Sequence, residues 1–178
     1  REPITMGRVP KEVINPSEFG FDDGSYKNIV IMMAIVALRE ALAGRSIKKP
    51  IPFLLTVPEA GVPAIDPMRL ITRLTEQKDL PLHSDLVRTL GSGRAAGIEG
   101  LTLAHHYLTQ QRADFVVIGG SDSSADVMRL HQLEKMERLL TPESKDGFAP
   151  GEGAGFLLLT SRPEYALRRA GYLISVAA

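Results

Sequence analysis

The stretch "ADFVVIGGSDSSAD", residues 113–126, decides how the rest of the chain is read. Phe115 to Ile118 is an unbroken apolar run that stops at the pair Gly119-Gly120. An apolar run with no polar alternation is the pattern of a strand covered on both faces, as parallel strands are. Paired glycines at its end remove side chains where another backbone or a ligand comes close. Upstream, Ala95 to Gln110 reads as a helix; downstream, Ser124 to Leu140 reads as an amphipathic helix carrying Met128, Leu133, Met136 and Leu140. Helix, buried strand, helix is the rhythm of a layered α/β domain.

Working outward, "KDGFAPGEGAGFLLLT" (145–160) offers a turn at Asp146-Gly147, a glycine-rich connector and a buried strand, predicting a hairpin attached to the sheet. "FDDGSYKNIVIMMAIVALREALAG" (21–44) has cap candidates at Asp22, Asp23 and Ser25 and a stop at Gly44. Its apolar residues fall on nearly every side, so this helix is expected to be covered on more than one face. "IPFLLTV" (51–57) predicts a short strand buried on both faces, and Asp66-Pro67 opens a helix with Met68, Ile71 and Leu74 at helical spacing. "DLVRTL" (85–90), just before the glycines of "GSGRAAGIEG" (91–100), is placed as a strand. Ser161 and Glu164 around Pro163 predict a capping box for a helix ending at Gly171, and "YLISVA" a last strand.

Composition narrows the function classes. The 178 residues are 44% hydrophobic and 24% charged, the profile of one ordinary domain with a core. Twenty-one basic against 21 acidic side chains leave no net field to draw nucleic acid or an anionic membrane, so an anionic partner must be met by a local patch. The chain has no cysteine, which excludes a disulfide, a thiolate metal site and a cysteine nucleophile within it. The apolar run Ile29 to Leu38 is too short to span a bilayer, and Arg1-Glu2-Pro3 lacks the order of a signal peptide. A cytoplasmic protein is expected, with no cofactor, no metal site, no nucleic acid and no membrane partner. His105 and His106 are helix neighbours that point apart, His131 and Glu134 share a face as one pair only, and His83 sits in a loop without a visible partner. The serines of "GSDSSAD" read first as caps and turn formers.

Two readings compete for "GSGRAAGIEG". Gly91, Gly93 and Ala96 satisfy the dinucleotide pattern G-x-G-x-x-G/A, which would make a nucleotide-binding module. That pattern expects an acid about twenty residues on, at the end of the next strand. Asp114 begins the strand and Asp122 ends it but falls 26 residues after Ala96.

The second reading is a family resemblance. The Gly-Gly strand "ADFVVIGGSDSSAD" and "KDGFAPGEGAGFLLL", close to a full D-G-F-x-x-G-[ED]-G-A-G signature, resemble the N-terminal half of β-ketoacyl-acyl-carrier-protein synthases, over most of residues 85 to 178. "RRAGYLISVAA" (168–178) is similar to the helix end and strand that lead to that family's C-terminal half. The resemblance implies a single thiolase-like domain over 1–178, complete or a fragment of a longer chain. Its expected fold is a layered mixed sheet, mostly parallel with an antiparallel hairpin strand, flanked by helices. It also implies a central first strand, for which Ile4 to Met6 is the only remnant. Counted back from Gly119, the family's nucleophile position falls on Arg94, 25 residues earlier, with its glycine on Gly97. Arg94, Gly97, Gly119, Gly120 and Phe148 are therefore the substrate-pocket candidates, and no catalytic residue is assigned.

A guanidinium cannot be deprotonated in a protein and cannot accept an acyl group. Beside a helix N-terminus its charge is unfavourable unless an anion or acid answers it, so Arg94 reaches solvent, pairs with an acid or binds an anionic ligand. The family's remaining catalytic groups lie in the C-terminal half. The expectation is a catalytically silent synthase-like protein, inactive alone, resembling the chain-length-factor partners of condensing enzymes in fatty acid or polyketide synthesis. The alternative is a 3-oxoacyl synthase or acyltransferase component whose active residues lie on another chain or segment. Expected partners are an acyl carrier protein or a ketosynthase, with a homodimer or heterodimer formed through the strand Asp85 to Leu90.

Overall fold

The computed structural model describes residues 6–10, 12–58, 65–141 and 144–165. Four strands form one sheet in the order β2-β1-β3-β4. They are β1 (Phe53–Thr56), β2 (Val87–Leu90), β3 (Val116–Ser123) and β4 (Glu152–Leu159). β1 pairs in parallel with β2 and β3, and β3 pairs antiparallel with β4, Gly120 opposite Gly155. Four helices accompany them: α1 (Tyr26–Leu42), α2 (Pro67–Thr75), α3 (Ala96–Thr109) and α4 (Val127–Lys135). The mixed α/β sheet flanked by helices is the expected fold class.

Alternation along the strands builds two cores. Phe53, Leu55 and Val117 point to one face, where they meet the α1 residues Val30, Ile31, Ile35 and Leu38 and the α2 residues Leu70 and Leu74. Leu54, Val116 and Ile118 point to the other, against Ala96, Ala104 and Leu108 of α3. Phe53, Leu54 and Leu55 are wholly inaccessible, which accounts for a strand without polar alternation. α1 is likewise buried on several sides, from Asn28 to Leu42. The Asp23 carboxylate accepts from Ser25 N and Asn28 Nδ2 before its first turn, and Gly44 follows its end at φ +76°. Asp66 caps α2 by accepting from Met68 N at 3.1 Å. Among the described residues no helix is long and apolar enough to cross a membrane.

The structure corrects several local expectations. The strand predicted over Asp85 to Leu90 begins at Val87, because Ser84–Leu86 is a 3-10 turn closed by Leu86 N on His83 O. Met68 is 64% exposed, leaving Leu70, Ile71 and Leu74 as the buried face of α2. The helix predicted over Ser124 to Leu140 is limited to α4. It starts after the Asp126 cap and ends at Lys135; two residues on, Glu137 with a φ of +54° turns the chain away from the helix direction while Arg138 N bonds Leu133 O. None of its residues is buried; Met128, Met136 and Leu140 are exposed. β3 and β4 are joined through this excursion, so their antiparallel pairing is not a tight hairpin, and β4 is half-buried, with Leu157 54% exposed. Among the described residues β1 and β3 fill the middle of the sheet, and Gly7 meets its edge through a bridge to Gly151, just before β4. Ile4 and Thr5 lie outside the described residues, as do the end of the helix predicted up to Gly171 and the strand at 172–177; Pro163–Tyr165 forms a single 3-10 turn.

Gly97, expected between layers, is exposed, and a Cβ there would meet nothing within 4 Å. Gly100 is the helix glycine that faces the sheet: a Cβ on it would overlap the Ile118 side chain and press on Leu90. Gly120 is more constrained, since a Cβ would run into the hydroxyl and the backbone carbonyl of Thr56. Gly120→Ala is expected to lower stability by about 1–3 kcal/mol through overpacking against a fixed backbone. Gly97→Ala should raise it by roughly 0.5–1 kcal/mol, because an exposed helical glycine is replaced by the best helix former. Urea denaturation midpoints of the two variants check both signs.

Candidate functional site

The three parallel strands present their carboxyl ends at one end of the sheet, the place where open α/β sheets bind ligands. A cleft of about 680 Å³ lies there. Thr56 to Pro58 after β1, Gly93 and Arg94 after β2, and Gly120 to Asp122 of β3 form its floor. Gln132 and Leu133 of α4 line it with Met136, Arg138 and Phe148, which follow the helix, and Gly153 to Gly155 of β4 close it. A second cleft of about 360 Å³ adjoins it, sharing Thr56, Arg94, Gly120 and Gly155 and adding Gly97, Ile98 and Gly119. All five residues singled out in the sequence thus lie on these two clefts, with Arg94 and Gly120 on both.

Arg94 sits in the 3-10 turn Gly93–Ala95 that runs straight into α3, and its residue is exposed. Among the described residues its guanidinium has no ion-pair or hydrogen-bond partner. The acid in the first turn of α3, Glu99, is engaged by the Ser92 hydroxyl instead. The other acid at the cleft, Asp122, is held by Arg129 Nη1 at 2.7 Å, and the same nitrogen donates to Ser123 O at 3.1 Å. Arg138 lies over the Phe148 ring, 5.9 Å from its centroid. Near the Asp122–Arg129 pair, the Tyr26 Oη is buried and forms no hydrogen bond of acceptable geometry. Burial pushes that phenol above the usual tyrosine range, the Asp122 charge acts in the same direction, and the nearby Arg129 opposes them.

Two of the three serine hydroxyls of "GSDSSAD" serve the fold. Ser121 Oγ donates to Val30 O at 2.8 Å, tying β3 to α1. Ser123 Oγ donates to Glu152 Oε2 at 3.0 Å and accepts from Ala125 N. Glu152, the acid of the GEG motif, has a side chain only 1% exposed and accepts from Val9 N at 3.0 Å, with Arg8 Nε 3.9 Å away. Gly7 bonds the backbone on either side of it, through Gly7 N to Pro150 O and Glu152 N to Gly7 O. The histidines lie off the clefts: His105 and His106 are exposed on α3, His131 faces Glu134 at 3.6 Å, and His83, which the sequence left unpartnered, accepts from Asp85 N. Among the described residues no three His, Cys, Asp or Glu side chains come together as a metal site. Both candidates for the acid that the dinucleotide reading needs are in ion pairs, Asp114 with Arg162 at 2.6 Å and Asp122 with Arg129.

Sequence reasoning missed Arg129, Arg138 and Met136 as cleft residues. A helix continued to Leu140 gives no reason for Arg138 to turn inward; the left-handed residue Glu137 supplies it, and a glutamate there carries no signal in the sequence.

Residues 87–164 match the sequence model of the family described as beta-ketoacyl synthase, N-terminal domain. No curated protein matches the chain. Among solved structures, the ketosynthase from module 6 of the bacillaene synthase of Bacillus subtilis 168 is similar, with a TM-score of 0.58 and 18% identity over 89% of this chain. The chain spans 32% of that structure's length. The segment that includes β2, α3, β3 and β4 is therefore β-ketoacyl-synthase-like, on a thiolase-like N-terminal half-fold.

The geometry gives Glu152 the task of closing the sheet edge. Glu152→Ala leaves Val9 N and the Ser123 hydroxyl without their buried partner and is expected to cost about 1–3 kcal/mol. A urea midpoint together with faster amide exchange at Gly7 and Val9 would register the loss; an unchanged midpoint would show that the opening segment holds without it.

Proposed function

We propose that this chain, β-ketoacyl-synthase-like over residues 87–164, is a catalytically silent member of that architecture that acts beside an active condensing enzyme, as chain-length-factor subunits do. The observation that carries the reading is Arg94. It stands on the turn between β2 and the first residues of α3, at the cleft, where the family resemblance puts the nucleophile. Helix N-terminal backbone N–H groups lower a cysteine's pKa and stabilise the oxygen of a bound thioester. An arginine in that setting keeps its proton, so the acyl chain has no atom to transfer to. Two of the nearby hydroxyls are committed to the fold: Ser121 is bonded to Val30 O and Ser123 to Glu152. In place of condensation, the partner would supply the nucleophile and this chain would shape or recruit. Its expected partners are a ketosynthase and an acyl carrier protein.

Incubated with acyl- and malonyl-carrier proteins, the chain is expected to gain no acyl mass and to release no 3-oxoacyl product. Arg94→Cys should acquire an acyl group slowly, since it regains a thiol at a helix N-terminus, and still make no product without an acid–base group to form the enolate. Intact mass spectrometry and product chromatography read the two steps separately. Product formed by the unmodified chain alone would overturn the proposal and move attention to the serines.

Assembly follows from the sheet edge. β2 is the outer strand, with Arg88 and Thr89 exposed. Leu90 O accepts from Val57 N on the β1 side, so the groups of Thr89, one residue back, point away from β1. An unpaired edge is a template for pairing, and pairing with its own copy closes a two-fold dimer. We expect a dimer in sedimentation at micromolar concentration, and a folded monomer for Thr89→Pro, which removes an outward donor and no bond to β1. A wild-type monomer would discard this edge as the interface.

A further inference from the structure

We infer that the main cleft is a non-covalent binding site for a ligand with an anionic head on an aliphatic chain, held by Arg94 and Arg138. The inference goes beyond the silent-partner reading and borrows from it only that Arg94 does not react.

Charge is the first ground. In a chain with 21 basic and 21 acidic residues, the cleft gathers three arginines, Arg94, Arg129 and Arg138, against one acid, Asp122. Arg129 and Asp122 neutralise one another at 2.7 Å. Two guanidinium groups remain, and neither has an acid partner among the described residues. The N-terminus of α3, which follows Arg94 directly in the chain, adds partial positive charge of the same sign. Two unanswered cations on one concave surface repel each other, and an anion between them relieves that repulsion while satisfying donors of fixed geometry.

Surface chemistry is the second ground. Beside these arginines the cleft carries large apolar side chains that the core leaves out: Met136 is 70% exposed and Phe148 41%, and half-buried Leu133 lines it with them. Exposed apolar side chains around a concave site read as a ligand wall. Methionine in particular adapts to a flexible chain. Arg138 lies over the Phe148 ring, which places a cation at the border of the apolar wall, as an amphiphile's head requires. The volume of about 680 Å³ is that of a small-molecule site. A carboxylate and a phosphate monoester both fit the cation pair; their shared chemistry is a compact oxyanion.

Titration calorimetry of the chain with decanoate, decyl phosphate, decanol and decyltrimethylammonium, at neutral pH and low salt, tests this. Decanoate is expected to bind about tenfold more tightly than decanol, and the ammonium not to bind, because a charge-assisted bidentate contact contributes most where solvent is excluded. Decyl phosphate above decanoate would assign the head to a phosphate ester, and decanoate equal or above to a carboxylate. Arg94→Gln and Arg138→Gln should each weaken decanoate about fivefold and leave decanol unchanged, and the double variant should bind both alike. Arg94→Lys should keep most of the preference, and Arg112→Gln, in the turn past the carboxyl end of α3, should keep all of it. Salt should weaken decanoate and not decanol. Equal affinities for decanoate and decanol, a double variant that still prefers the acid, or no binding at millimolar concentration would each overturn the inference. Covalent acyl transfer seen by mass would sink the silent reading instead and leave these affinities untouched.

Discussion

In the middle of β3, two consecutive residues have no room for a side chain. A Cβ on Gly119 would strike the carbonyl of Gly155 and the backbone of Phe156, and one on Gly120 would strike Thr56. The chain solves this by omission, and the omission has two consequences. β3 can lie between β1 and β4 at full pairing distance, and with no side chain above the Gly120 backbone the cleft reaches down to the main chain itself. The constraint that closes the sheet therefore also opens the site, and neither can be altered without the other.

The signature around β4 follows from the same economy of side chains. Gly147 is enforced because a Cβ would overlap the Leu139 carbonyl group where Leu140 N and Phe148 O bond across the connector. Glu152, the acid of that signature, is a buried tie between the opening segment and β3. A buried carboxylate is stable only when its oxygens are answered, and here Val9 N and Ser123 Oγ answer one oxygen each. The acid that faces the cleft is Asp122, and Arg129 holds it.

What could be read in the sequence was whatever local pattern fixes. Unbroken apolar runs marked β1 and β3, Asp66-Pro67 marked the start of α2, and the glycine signature marked the β3–β4 pair. Where the reading failed, the same letter had two meanings. Met136 and Leu140 at helical spacing look like a core stripe, but at this end of the sheet they face a cleft or solvent. Gly97 and Gly100 share a helix, and only the direction of the sheet tells that Gly100 is the one pressed against Ile118. The place of the opening segment was illegible for a different reason. Its pairing is long-range, Gly7 with Gly151, and no local period encodes a partner so far along the chain. All five cleft residues named from the sequence came from motif alignment, while Arg129 and Arg138 depended on how α4 begins and ends.

Arg94 is the residue where electrostatics and architecture meet. A cation at the start of a helix is opposed by the helix dipole, and a stable protein usually answers it with a nearby acid. The two acids close enough in the structure to be considered are engaged elsewhere, Glu99 by Ser92 and Asp122 by Arg129. Arg94 is exposed and has no acid partner among the described residues, and solvent screening lets the fold tolerate it. The same screening vanishes when an apolar ligand fills the cleft and excludes that water, since the interaction between charges grows as the local dielectric falls. An uncharged or cationic occupant would then leave two guanidinium groups desolvated and unpaired, at high cost, whereas an anionic head would convert that cost into its strongest contact. The arrangement thus selects by charge through what it leaves unsatisfied, a form of discrimination that acts only when the cleft is full.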